Sequence, residues 1–329
     1  MMNKPFKTHT IGVDIGGTKV NVGLVDACGN LLSSHKSPIH HSKKPKKVIS
    51  DVLTGIDVCL TNAGKEAKAL GIGIAGQVDL EGVVQSSPNL GWRNIPLKET
   101  MEGKLNLPVY VTNDVRAATW GEWHFGSGKG INDLAVLFVG TGVGGGVING
   151  GKLLVGCNNI GGELGHITLV YEGRKCRCRN NGCLEAYVGG WALAERTKYS
   201  VEANPDEGKC LLSMAGSVEK ITGVTVGQAY HEGDLLARRL VEETGRYLAA
   251  GVVSIVNAFN PCCLLLGGGV IEGIPEMIQM VKDDVRTRAL EVSVKELRIV
   301  KAALGSNAAV IGSAVLAQVL VNRGLRFDL

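Results

Sequence analysis

Residues 10–32 read TIGVDIGGTKVNVGLVDACGNLL, and residues 133–154 read DLAVLFVGTGVGGGVINGGKLL. Both stretches run in the same order: apolar strand, glycine turn, apolar strand, turn. In the first, the pattern predicts a strand from Thr10, a turn at Gly16–Gly17, a second strand from Val20 to Val25 and a turn at Cys28–Gly29–Asn30. The second repeats it around Gly140–Gly146. An internal echo of this kind implies two related halves. Facing each other, they would bring both glycine turns to one cleft, so the expected fold class is α/β with two domains.

Between and beyond these hairpins the signals alternate. Val48, Val52, Ile56 and Leu60 recur at helical spacing and predict a helix from Lys46 to about Gly64. ALGIGIAGQVD, residues 69–79, reads as a buried strand ending in a glycine turn. VYVTND, residues 109–114, reads as a short strand stopping at two polar residues, with a helix following in RAATWGEWHFG. Residues 187–258 read as mainly helical. PCCLLLGGGV, residues 261–270, is a strand running into a third glycine turn, and AAVIGSAVLAQVLVNRG is a closing helix.

Bulk properties exclude several classes of function. The 329 residues are enough for two domains with separate cores. A net charge of +4, from 35 Lys+Arg against 31 Asp+Glu, is too weak and dispersed to point to nucleic acid. The one basic run, HSKKPKK at 41–47, reads as a solvated loop. No apolar run reaches the ~18 residues a membrane helix needs, and the first ten residues lack a signal-peptide core. A cytoplasmic protein without membrane or nucleic-acid partners is expected. Nine cysteines are an odd number. Cys28, Cys59, Cys157, Cys210, Cys262 and Cys263 are scattered, and read as small buried hydrophobes in a reducing compartment.

Backbone amides in a glycine turn can converge on phosphate oxygens with no side chain between. DIGGTK (Asp14–Lys19) sets a carboxylate at a strand end before such a turn, with a hydroxyl at Thr18. GTGVGGG (Gly140–Gly146) and Gly267–Gly269 supply two more. Each alone is most often just a turn. Neither the G-x-x-x-x-G-K-[ST] pattern nor a Rossmann fingerprint fits, because the chain resumes at once as a strand. Asn113 and Asp114 stand where a strand meets a helix. Position alone favours a helix cap. The glycine turns on either side in sequence favour a general base taking the proton of a substrate hydroxyl, with Asp14 near a magnesium ion.

KCRCRNNGCLEAY, residues 175–187, packs Cys176, Cys178 and Cys183 into eight positions, with His166 upstream. A Cys176–Cys178 disulfide would close a strained small ring. Coincidence fits poorly with three cysteines and a histidine around a turn at Gly182. Three thiolates and an imidazole suit a closed, tetrahedral, structural zinc site. Glu163 and Glu185 bracket these ligands. Glutamate is usually a surface residue, yet segments pinned by zinc can aim acceptors at a polyhydroxylated ligand. The second ring nitrogen of a zinc-bound His166 would remain a donor.

Taken together, the three glycine turns resemble the ATP site of the sugar kinase, Hsp70 and actin superfamily. Gly165-His166, nine further residues and CRCRNNGCLE resemble the signature of the ROK family of sugar kinases and repressors, and the likeness runs from about Ile11 to about Ala317. That resemblance implies a two-domain actin-like fold with an interdomain cleft and a structural zinc site. It implies phosphorylation of a hexose or N-acetylhexosamine from ATP and Mg²⁺, and a homodimer. It assigns Asp14, Gly16, Gly17, Thr18 and Lys19 to the first phosphate motif, Thr141, Gly142 and Gly144 to the second, and Gly267, Gly268 and Gly269 to adenosine. Gly76, Asn89, Asn113, Asp114, Glu163, His166 and Glu185 fall on sugar-binding positions, with Asp114 as catalytic base, and His166, Cys176, Cys178 and Cys183 fall on the zinc ligands. GELGH with CLEAY is closer to glucokinases and N-acetylmannosamine kinases than to fructokinases, so 6-phosphorylation of glucose is expected, with an N-acetylhexosamine kinase as the alternative. A repressor would carry a helix-turn-helix module before the first motif, for which the residues preceding Asp14 leave no room.

Four departures stand out: Arg179 for a glycine, Ala75 for a proline, Arg116 where a small or amide residue is usual, and GSNAAVIGSA before the last helix. The expected domains are residues 1–117, completed by a C-terminal helix over 308–329, and residues 118–307 with the zinc site.

Overall fold

A computed structural model describes residues 8–323. The described chain forms two compact units. One takes the chain up to Gly130, Lys152–Gly162 and the chain from Ala303 onward; the other takes Ile131–Gly151 and Glu163–Ala302.

The first unit is built on β1 (Thr10–Ile15), β2 (Lys19–Val25), β3 (Leu31–Pro38), α1 (Pro45–Ala63), β4 (Leu70–Ile74), β5 (Gln77–Val78), β6 (Val84–Ser87), β7 (Trp92–Ile95), α2 (Leu97–Leu105), β8 (Val109–Asn113) and α3 (Asp114–Phe125). Its main sheet has the order β3-β2-β1-β4-β8, while β5, β6 and β7 form a small antiparallel sheet. β1 pairs antiparallel with β2 and parallel with β4, and β4 pairs parallel with β8. Helix α1 starts with Pro45 at its first turn and buries Val48, Val52, Ile56 and Cys59. It ends at Gly64, whose φ of 57° suits a left-handed cap.

The last helix, α12 (Ala308–Arg323), packs on β1, β4 and α3 within this unit. Glycines in the strands make that approach possible. A Cβ on Gly12 would overlap the carbonyl oxygen of Val310, and one on Gly71 that of Ser313. The expected continuation of this helix to residue 329 lies outside the described residues, as do residues 1–7. The expected division at residue 117 falls inside α3. This unit runs to Gly130 because α3 is one continuous helix with Ala117, Ala118 and Trp120 buried in it. Residues 152–162, including the short β11 (Lys152–Leu153), also fall here rather than with the zinc segment.

The second unit repeats the strand logic. β9 (Leu134–Val139) and β10 (Val143–Asn149) form the hairpin, and β12 (Cys263–Gly267) and β13 (Arg298–Lys301) continue it in parallel. Its helices are α4 (Glu185–Val188), α5 (Gly190–Ala203), α6 (Lys209–Ala215), α7 (Gly223–His231), α8 (Leu235–Phe259), α9 (Gly269–Gly273), α10 (Met277–Arg288) and α11 (Glu291–Val294). The 25-residue α8 is the centre of the core, burying Leu240, Leu248, Val252 and Ile255 along one stripe. No described helix is long and apolar enough to cross a membrane.

The scattered cysteines are less uniform than expected. Cys59 and Cys263 are buried and Cys210 is partly buried, but Cys28, Cys157 and Cys262 are exposed. Cys28 and Cys157 lie in turns. Cys262 immediately precedes β12, which is buried on both faces from Cys263 to Gly267, so the core begins at Cys263.

Candidate active site

In the first unit, parallel pairing sets Ile15, Ile74 and Asn113 side by side at the carboxyl edge of β1, β4 and β8. Asp14, Gly76 and Asp114 are therefore gathered at one edge. The β1–β2 turn is closed by Gly16 N–H donating to the Lys19 carbonyl at 3.1 Å, leaving Gly17 partly buried and Thr18 and Lys19 exposed. Gly17 lies against Asn89: a Cβ there would sit 3.1 Å from Asn89 Cβ. Asn113 is the N-cap of α3. Its Oδ1 accepts from Val115 N–H at 2.9 Å and Arg116 N–H at 3.0 Å, and its Nδ2 donates to the Gly76 carbonyl at 3.2 Å. The cap and site readings of Asn113–Asp114 thus divide between neighbours: Asn113 caps, and Asp114 opens the helix.

Asp14 feels this crowding. Burial pushes its carboxyl up from 3.8 to about 7, the nearby Asp114 carboxylate pushes the same way, and Lys19 and Lys36 oppose both. Two carboxylates in one field, beside a glycine turn, form a donor set of hard oxygens that suits magnesium.

In the second unit, Gly140, Thr141 and Gly142 form the β9–β10 turn, closed by Gly140 N–H donating to the Gly142 carbonyl at 2.9 Å, and Gly144 follows in β10. The third glycine turn lies beside it. Gly268 has φ 88°, and a Cβ there would approach the Val139 carbonyl oxygen to 2.6 Å. Gly267 ends β12 beside Phe138, and Gly269 opens α9. Two glycine-rich turns, in which Thr141 carries the one side chain between Gly140 and Gly142, therefore share one sheet edge.

Glu185 has a structural task not expected from the sequence. Its Oε2 accepts the Val143 N–H at 2.8 Å and its Oε1 the Trp191 indole N–H at 3.3 Å. The carboxylate braces the back of the second glycine turn, and a Cβ on Gly142 would run into it. Glu163 is exposed, and its carbonyl accepts the His166 N–H at 3.0 Å in the short 3-10 turn Leu164–His166.

The four soft ligands do converge. His166 Nδ1 lies 3.8 Å from Cys176 Sγ, Cys178 Sγ lies 3.6 Å from Cys183 Sγ, and all four donor atoms fall within 4.8 Å of one another. Tetrahedral zinc with sulfur bonds of about 2.3 Å has ligand–ligand edges of about 3.8 Å, so the donor set fits. Burial pushes the Cys176 thiol up to about 12, a cost that a cation binding the thiolate removes. With Nδ1 turned to the sulfurs, His166 keeps Nε2 for another partner. Arg179, replacing a glycine, is exposed on this loop; the turn is made instead by Gly182 at φ 77°.

Asn159 and Glu122 are two further buried polar residues that the expected site does not include. Asn159 is 2% exposed and bonds Arg116. Glu122 is fully buried and accepts backbone N–H groups of Ser127, Ala303 and Leu304 at 3.0, 3.0 and 2.6 Å. A glutamate within an apolar helix was the available signal in the second case.

The hairpin-plus-parallel-strand sheet in each unit and the Cys₃His loop occur together across the chain, and a model of the ROK family matches residues 10–319. The chain belongs to the ROK family. It has the mixed α/β fold of ROK sugar kinases, with their actin-like ATPase relationship. The glucokinase of Streptomyces coelicolor is 35% identical over 312 residues, which cover 94% of this chain and 97% of that protein. A ROK family glucokinase from Streptomyces griseus, solved in complex with glucose and AMPPNP, matches with a TM-score of 0.85 at 35% identity, covering 94% of this chain and 99% of that one. The family's regulators are also near: the xylose repressor of Bacillus spizizenii is 27% identical over 306 residues, 92% of this chain and 75% of the repressor.

Proposed function

We infer that this protein is an ATP-dependent hexose kinase that phosphorylates glucose on its 6-hydroxyl. The observation that carries this reading is the Asp14–Asp114 pair at the carboxyl edge of β1, β4 and β8, beside a glycine turn that leaves backbone amides accessible. Likeness to ROK glucokinases over nearly the whole chain supports the choice of sugar. Asp114, at the first turn of α3, accepts the proton of the attacking hydroxyl. Gly76, Asn89 and Asn113, with Glu163, His166 and Glu185, supply hydrogen-bond partners for the ring hydroxyls. The turn Gly16, Gly17, Thr18 and Lys19, whose Gly16 N–H closes it on Lys19, and the turn carrying Thr141, Gly142 and Gly144 hold phosphate oxygens through their remaining amides, while Gly267–Gly269 lie against the nucleoside. Magnesium, when bound beside Asp14, supplies positive charge to the phosphates. Zinc on His166, Cys176, Cys178 and Cys183 is structural, since four protein ligands leave no open position. The enzyme is cytoplasmic and a homodimer.

The test is a coupled ADP-release assay across glucose, mannose, fructose, N-acetylglucosamine and N-acetylmannosamine. The highest kcat/KM is expected with glucose, and Asp114→Asn is expected to lower kcat by about 10²–10⁴-fold, the range for loss of a general base. Turnover within about threefold of wild type in that variant would remove Asp114 from the mechanism. Preference for an N-acetylhexosamine would move the enzyme to the other branch of the family.

A further inference from the structure

Arg116 is 4% exposed, an unusual fate for a guanidinium. It sits two residues after Asp114 on α3. Its Nη1 donates to Asn159 Oδ1, and its Nη2 donates to the Gly161 carbonyl at 3.3 Å. Asn159 is itself 2% exposed and held at left-handed φ of 57°. Its Nδ2 donates onward to the carbonyls of Val78 at 3.1 Å and Asp79 at 3.3 Å. One buried arginine and one buried asparagine therefore join three pieces of the first unit: the helix that begins at Asp114, residues 152–162, and the strand that follows Gly76. A second tie runs in parallel, from Asn113 Nδ2 to the Gly76 carbonyl. Both ties anchor the walls that carry Gly76, Asn113 and Asp114.

We propose that Arg116 and Asn159 form a positioning latch for the sugar subsite, holding residues 152–162 and the β5 segment in register with the start of α3. This rests on the sugar-kinase reading above. Neither residue touches substrate; both act through Gly76, Asn113 and Asp114. Beyond the sheet-paired strand β11, the rest of residues 152–162 carries no regular strand, and its own backbone bond from Gly161 N–H to the Val155 carbonyl at 2.7 Å only closes a loop. Its attachment to α3 therefore depends strongly on the latch. An amide and a guanidinium are suited to this because their planar donors and acceptors fix orientation as well as distance.

Arg116→Met, Asn159→Leu and the double variant test the proposal. Loss of buried, charge-assisted hydrogen bonds is expected to raise the KM for sugar by about 10- to 100-fold. The KM for ATP should stay within about twofold, while kcat falls along with sugar affinity, because displacing the start of α3 also displaces the Asp114 carboxylate. Hydrogen exchange in residues 155–162 should accelerate at least about tenfold, with the zinc segment unchanged. Since the residues act as one unit, the double variant should match the worse single variant within about twofold. Should Arg116→Met fail to fold, Asn159→Asp keeps the acceptor for Arg116 while losing both donors, and the same thresholds apply. The latch is overturned if the sugar KM stays within about twofold of wild type, if exchange in 155–162 is unchanged, or if the two single effects multiply. If the wild type releases no ADP with any sugar, the kinase reading fails alone and the exchange data still decide the latch.

Discussion

Replacing Asp14 by asparagine should make the magnesium-free protein more stable at alkaline pH while disabling it as an enzyme. Burial and the Asp114 charge raise the folded-state value of Asp14 to about 7, against 3.8 for an unconstrained carboxyl. The folded state thus holds this proton more tightly than the unfolded chain does. A raised folded value means that the stabilising contribution is fully present below pH 3.8 and is lost as the pH rises through 7. Carrying a carboxyl from 3.8 to 7 corresponds to about 4 kcal/mol at about 1.36 kcal/mol per pH unit. Asp14 is partly exposed, so solvent screening reduces this to about 2 kcal/mol. An asparagine at this position bears no charge to bury, so the stability of Asp14→Asn relative to wild type should climb between about pH 4 and about pH 8 by that amount. For a unit of this size the difference corresponds to about 4–8 °C in melting temperature. The assay is thermal unfolding of both proteins, zinc retained and no magnesium added, at half-unit pH steps. Parallel melting curves across that range would refute the reasoning, because they would mean that ionising Asp14 in the folded state costs nothing. Activity of the same variant is expected to fall at least about a hundredfold in the coupled assay.

Gly142→Ala should drive a methyl into the Glu185 carboxylate and pull it from the Val143 N–H; the KM for ATP is expected to rise about tenfold or more in steady-state kinetics, with the sugar KM moving less. Cys183→Ser should cut zinc, read by plasma mass spectrometry, from one ion per chain to under about a tenth, and lower the melting temperature. Glu122→Gln places an amide NH₂ against backbone donors that now bond a carboxylate, and should cost about 2–3 kcal/mol in urea unfolding. An unchanged urea midpoint would remove Glu122 as the anchor of the chain around Ala303.

Much of the fold is legible because its signals are local. The β1–β2 and β9–β10 hairpins follow from apolar alternation broken by glycine, and α1 from the spacing of Val48, Val52 and Ile56 together with Gly64. The small β5–β6–β7 sheet is not legible: its strands are two to four residues long, too short for a period to register. The exposure of Cys262 beside buried Cys263 is likewise a matter of where β12 enters the core, since every residue from Cys263 to Gly267 is buried.

By itself the sequence determined the glycine turns and the Cys₃His loop, because each is set by residues close together in the chain, whereas it set the cap reading of Asn113–Asp114 behind the site reading. Only the tertiary structure decided that Asp14 and Asp114 share a field, that Glu185 braces a turn 42 residues away, and that Arg116 reaches Asn159 across 43. Contacts at such separations are set by strand order and helix packing, and linear spacing carries no record of which distant backbones will lie within a hydrogen bond of one another.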